Sequence, residues 1–175
     1  MKKKLEDYVI TIPDFPAPGI MFRDVTGILN HPDGLKRSVN ALAAMVKDLD
    51  FDLVVGAESR GFIFGAALAY KLGKAFVPAR KPGKLPRETV SCEYELEYGK
   101  ATIELHKDAV KPGQKVVIID DLIATGGTVQ AIAKLVEQLG GEVVKLCFVM
   151  ELAGLKGRER LAGYDVESAI IYEGK

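Results

Sequence analysis

The chain has 175 residues, 48% hydrophobic and 27% charged, with 24 Lys and Arg against 24 Asp and Glu. This balance argues against a nucleic-acid surface, and no apolar run approaches a membrane span. The length predicts one domain over 1–175 with a substantial core.

Lys2, Lys3 and Lys4 are followed by Glu6 and Asp7 rather than an apolar stretch, so the start does not read as a secretion leader. Ile12 to Gly19 is a proline-rich extended segment, followed by Ile20-Met21-Phe22-Arg23-Asp24. Asp33 is expected to cap a helix with Leu35, Val39, Leu42, Ala43, Val46 and Leu49 at helical spacing. Leu53–Ala57 reads as a buried strand with Glu58-Ser59-Arg60-Gly61 as its exit loop, and 62–72 as a helix of small residues. A strand from Ala75 to Ala79 leads into a loop carrying Arg80, Lys81, Lys84 and Arg87 without an acid. Thr89 to Leu105 alternates in places, with a hairpin turn expected at Glu97-Tyr98-Gly99-Lys100. The helix after the glycines at 126 and 127 should end at Gly140-Gly141, and strands are expected at 143–150 and 166–172. The β–α alternation predicts an α/β fold, a parallel sheet flanked by helices with a hairpin insertion. Cys92 and Cys147 lie far apart without metal-ligand spacing, which predicts reduced thiols in a cytoplasmic protein.

Chemistry concentrates in Val116-Val117-Ile118-Ile119-Asp120-Asp121-Leu122-Ile123-Ala124-Thr125-Gly126-Gly127-Thr128. Four β-branched residues in a row predict a central parallel strand, and sites on such sheets gather beyond the strands' carboxyl ends. In the turn Ala124, Thr125, Gly126, Gly127 and Thr128, glycine lets backbone N–H groups converge on an anion, helped by the following helix N-terminus. A phosphate suits this turn. Asp120 and Asp121 would repel phosphate, so they are expected to bind neighbouring hydroxyls, with magnesium relieving the remaining charge. Together these demands describe a phosphorylated sugar. The Walker pattern is absent, because Gly-Lys at 73, 83, 99 and 174 is never followed by Ser or Thr; no Gly-x-Gly-x-x-Gly occurs either.

Residues 118–128 resemble the phosphoribosyl pyrophosphate (PRPP) motif of type I phosphoribosyltransferases. The resemblance implies a Rossmann-like core, a base-recognition hood over about residues 1–30, ribose bound by Asp120 and Asp121, and the 5′-phosphate held by the turn at 124–128. It also implies pyrophosphate binding by Glu58, Ser59 and Arg60, through a cis peptide at Glu58–Ser59, and by Arg80 and Lys84, the latter two reaching a partner's site in a homodimer. The segments Ile12–Pro16, Gly19–Asp24, Arg80–Pro86 and Leu155–Glu159 are similar to the adenine-using branch of the family. That likeness implies that Phe22 stacks on the purine, that backbone groups of Met21 and Arg23 read its edge, and that Glu97 transfers a proton near N7 while Tyr98 helps close the loop. The implied reaction is adenine plus PRPP giving AMP plus diphosphate in purine salvage. Magnesium would be carried by the substrate's phosphates rather than by a direct protein site, with no nucleic acid or membrane as partner. Rival readings are a xanthine or hypoxanthine enzyme and a PRPP-sensing regulator.

Overall fold

Val116, Val117, Ile118 and Ile119 are all fully buried, and they divide strictly between two faces. Val116 and Ile118 join Ile132, Leu135 and Val136 in one core, while Val117 and Ile119 join Leu42, Phe64 and Leu68 in the other. A strand with no solvated face must lie inside a sheet covered on both sides.

The computed structural model describes residues 3–96 and 99–174. In chain order the strands and α-helices are β1 (Ile10–Pro13), β2 (Met21–Asp24), α1 (Thr26–Leu29), α2 (Pro32–Met45), β3 (Leu53–Ala57), α3 (Arg60–Leu72), β4 (Ala75–Ala79), β5 (Thr89–Glu95), β6 (Lys100–His106), β7 (Lys115–Ile123), α4 (Gly127–Gln138), β8 (Glu142–Leu152), α5 (Gly157–Arg160) and β9 (Val166–Tyr172). The main sheet has the order β4-β3-β7-β8-β9, and every pairing in it is parallel. From β3 the chain winds outward to β4, and from β7 it winds the other way through β8 to β9. The direction therefore reverses between β3 and β7, which is where ligand crevices form in such sheets.

Two antiparallel pairs lie outside this sheet. β1 and β2 form an antiparallel pair within the segment expected to be the hood, and β5 and β6 form the expected hairpin. Arg80 and Glu104 exchange backbone hydrogen bonds of 2.9 and 2.7 Å, which ties the hairpin to the end of β4. No helix among the described residues is long and apolar enough to cross a membrane.

Several local expectations need correction. The cap of α2 is His31, whose Nδ1 accepts the Asp33 N–H at 3.2 Å, so Asp33 lies inside the helix behind Pro32. The helix stops at Met45; Leu49 packs on the core from a turn closed by its N–H to the Val46 carbonyl. β7 continues through both acids to Ile123 instead of ending at Ile119, because Leu122 and Ile123 regain the apolar environment beyond them.

Candidate active site

The strand ends at the reversal point bring two turns together. After β3 the Glu58–Ser59 peptide is cis, at the position expected, and Arg60 already belongs to α3 rather than to an exit loop. After β7 the turn passes through Gly126 at φ +81° into α4. Ser59, Arg60, Lys81, Asp120, Asp121 and Thr128 are among the residues lining a cleft of about 320 Å³. A smaller recess of about 90 Å³, lined by Asp120 and all five residues from Ala124 to Thr128, adjoins it through shared walls. A compact anion held by amides fits the recess, and a polar, more extended group fits the cleft.

Both acids face the start of α3. Arg60 Nε donates to Asp121 Oδ2, and the Asp121 N–H donates to Asp120 Oδ1 at 2.8 Å. Asp121 is buried, so this ion pair compensates a charge that would otherwise be costly. Gly61 permits the approach: a Cβ there would lie 2.8 Å from Asp120 Oδ1. Burial first, then the negative charge of Asp121, pushes the Asp120 carboxyl well above the usual aspartate range, while Arg60 opposes the shift. The two acids are thus one coupled unit that favours hydroxyl hydrogens or a cation and disfavours a second anion.

The Glu58 side chain is engaged with the basic loop. Its carboxylate accepts the Lys81 N–H at 2.9 Å and pairs with Arg80 at 3.2 and 3.3 Å. Burial works against its ionisation, but the Lys81 amide and the Arg80 guanidinium outweigh it and leave its pKa lowered. The Glu58 side chain thereby fixes the basic loop beside Ser59 and Arg60 of the same chain. Lys84 is exposed, with its carbonyl 3.4 Å from Arg80 Nη1. Lys81, from the same basic loop, lines the cleft.

The hood lies toward the same edge of the sheet. The Arg23 guanidinium stacks on Tyr172, at the carboxyl end of β9, with its carbon 4.2 Å from the ring centre; Nη1 donates to Thr11 Oγ1. That leaves the Arg23 backbone, not its side chain, for a ligand. Residues two apart in a strand point their backbone groups to the same side, so those of Met21 and Arg23 share one side of β2. Phe22 is half-buried and meets Phe15 edge-to-face at 5.2 Å. Glu97 and Tyr98 lie outside the described residues.

The back of the phosphate turn is supported by α5. A Cβ on Gly157 would collide with the Ala124 carbonyl, and one on Gly126 would lie 2.8 Å from the Gly157 carbonyl. The segment is anchored by Arg158, which grips the buried Glu151 through bonds of 2.8, 3.0 and 2.8 Å and donates to the Val166 carbonyl. The Arg158 guanidinium lowers the Glu151 pKa against the cost of burial. A lowered carboxylate pKa contributes stability that is complete above the unfolded value of about 4.3 and is lost as pH falls through the folded value. Glu151→Gln should therefore be less stable than the parent at neutral pH, with the difference shrinking in acid, as read by urea melts across pH.

A model of the phosphoribosyl transferase domain matches residues 24–174. An adenine phosphoribosyltransferase of Lachnoclostridium phytofermentans is 66% identical over 99% of both chains. The chain belongs to the adenine phosphoribosyltransferase family. Among solved structures, the adenine phosphoribosyltransferase of Thermoanaerobacter pseudethanolicus superimposes with a TM-score of 0.93 at 53% identity, covering 97% of this chain and 100% of that one. That of Saccharomyces cerevisiae, complexed with an imino-altritol bisphosphate and adenine, gives 0.88 at 42% identity over 94% and 95%. The type I phosphoribosyltransferase fold expected from the residue 118–128 motif is the fold observed.

Proposed function

We infer that this chain transfers the phosphoribosyl group of PRPP to adenine, giving AMP and diphosphate. The observation that carries the reading is the meeting, at one reversal point, of a phosphate-sized amide turn, a coupled acid pair and a basic second turn. The relatives are named for adenine, which disfavours the 6-oxopurine and regulator readings.

The 5′-phosphate would sit in the turn at 124–128, where the amides and the α4 N-terminus meet its charge. Asp120 and Asp121 would accept the ribose hydroxyl hydrogens, and Ser59, Arg60 and Lys81 would face the pyrophosphate. Arg80 is held beside them by Glu58. Departure of pyrophosphate builds positive charge on the ribosyl carbon, as in glycoside cleavage, so groups that stabilise the leaving anion lower the barrier. Among the described residues no three His, Cys, Asp or Glu side chains converge on one point. Beside the acid pair, a magnesium ion arriving on the substrate's phosphates would neutralise the leaving group.

For the base, the unpaired edge of a two-stranded hood offers alternating N–H and C=O groups. An acceptor facing the exocyclic amine and a donor facing the neighbouring ring nitrogen match adenine, while a 6-oxopurine mispairs with both. Each mispaired group costs about 1–3 kcal/mol. The family resemblance gives Glu97 the proton transfer at N7, which Glu97→Gln would expose as a lost limb in the pH–rate profile. A homodimer in the cytoplasm completes the reading. It is supported by Ile63 and Tyr70, exposed by 45% and 91% on one side of α3, next to the edge strand β4.

Calorimetry tests the specificity directly. AMP should bind at least tenfold more tightly than IMP, the equivalent of about 1.4 kcal/mol. Equal binding would remove the base-reading role of the hood.

A further inference from the structure

Thr128 has two neighbours to serve. It lines the recess at 124–128, and its Oγ1 donates to Tyr94 Oη at 3.2 Å, joining the start of α4 to β5 of the hairpin. A second tie runs beside it: Arg160 Nη1 donates to the Glu95 carbonyl at 3.4 Å, and Gln130 Nε2 holds the Arg160 carbonyl at 2.9 Å. All three groups crowd onto one glycine. A Cβ on Gly127 would lie 2.7 Å from Arg160 Nη1, 3.2 Å from the Glu95 carbonyl and 3.3 Å from Tyr94 Cδ2. The end of β5 is thus seated where a side chain on Gly127 would forbid it.

We propose that Tyr94 and Arg160 are positioning residues that hold the end of β5 on the first turn of α4, with the Thr128 hydroxyl shared between the 5′-phosphate and the hairpin. The inference rests on the phosphate role given to Thr128 above. A hydroxyl carries one proton and two lone pairs. With phosphate in the recess, Thr128 gives its proton to a phosphate oxygen, and the Tyr94 hydroxyl turns to donate to Thr128 Oγ1. The ligand then extends a two-hydroxyl chain instead of breaking it, and each link polarises the next. The tie between Thr128 and β5 is therefore kept when the ligand is bound, with donor and acceptor exchanged. Arg160 supplies the part of the seat that does not depend on which way the protons point.

The test is a kinetic and binding comparison of Tyr94→Phe, Thr128→Val, the double variant, Arg160→Met and Arg160→Lys. Tyr94→Phe leaves the phosphate ligands intact, so AMP affinity should stay within about twofold while kcat falls about five- to tenfold, the worth of one hydrogen bond. Thr128→Val should weaken both. On that background Tyr94→Phe should change kcat by less than about twofold, because the link is already gone. Arg160→Met should lower kcat at unchanged AMP affinity, and Arg160→Lys should recover part of it. Unchanged kcat in Tyr94→Phe, multiplicative losses in the double variant, or parallel losses of melting temperature, AMP affinity and kcat would each overturn the proposal. Failure of the parent protein to form AMP in the same assay would instead overturn the reading of the site itself.

Discussion

Gly126→Ala is expected to lower kcat/KM for PRPP by at least about 100-fold, the scale seen when a donor to an oxyanion is displaced. Gly126 has φ +81°, where any side chain is strained by about 1–2 kcal/mol. Its new Cβ would also lie 2.8 Å from the Gly157 carbonyl and 3.4 Å from Leu161 Cγ. Gly157 cannot retreat easily, since it is itself wedged against Ala124 and Ile123 and Arg158 anchors its neighbour to Glu151. The turn must therefore move, carrying its amides away from the phosphate. Gly113→Ala makes the matching control: it has nearly the same φ, +82°, but a Cβ there meets nothing within 4 Å. It should lose stability yet retain turnover. Equal activity losses in the two variants would mean that backbone strain alone, and not the phosphate turn, explains the first.

Arg60→Met should cost about 100-fold or more in kcat and should also shift the pH profile. Asp121 would lose its counter-charge while its side chain remains 6% exposed. Breaking a fully buried pair costs about 3–5 kcal/mol, but the Arg60 side chain is 48% exposed, so about 1–3 kcal/mol is expected here. The direction of the pH effect follows from the acids. Burial and Asp121 already raise the Asp120 pKa, and Arg60 opposes them. Without Arg60 the acid pair keeps its proton to higher pH, so the acid limb of kcat/KM should move upward. Protonation is then less unfavourable in the folded state, so the variant's stability deficit should shrink as pH falls. A profile that keeps its acid limb while kcat drops would separate Arg60 from the acid pair and leave it only a role at the leaving group.

The sheet was legible because its strands are apolar runs between strong turn signals. Leu53–Ala57, Ala75–Ala79 and Val166–Tyr172 run as their residue patterns indicate. Polarity misled where function interrupts a strand: Asp120 and Asp121 look like a strand end, but backbone pairing to β8 continues past them at Leu122 and Ile123. The chemistry of the turn at 124–128 was readable because glycine, hydroxyls and carboxylates impose local demands. The partners of those groups were not readable, because they come from distant positions. Nothing around Arg60 names Asp121, and nothing around Glu58 names Arg80 or the Lys81 amide. The same holds for Tyr94 and Arg160, whose contacts with Thr128 and Glu95 span 34 and 65 positions. A glycine pair alone does not say what each member accommodates: Gly126 takes the φ of +81° beside the Gly157 carbonyl, while Gly127 leaves room for Arg160 and the end of β5.

Adenine specificity is tested most directly by one assay, in which the protein is supplied with PRPP, magnesium and in turn adenine, hypoxanthine, xanthine and guanine, and diphosphate release is followed together with the nucleotide formed. Adenine should give AMP and stoichiometric diphosphate, with the 6-oxopurines slower by at least about 30-fold in kcat/KM, the least that two mispaired groups would cost. Preference for a 6-oxopurine, or no nucleotide from any base, would contradict it.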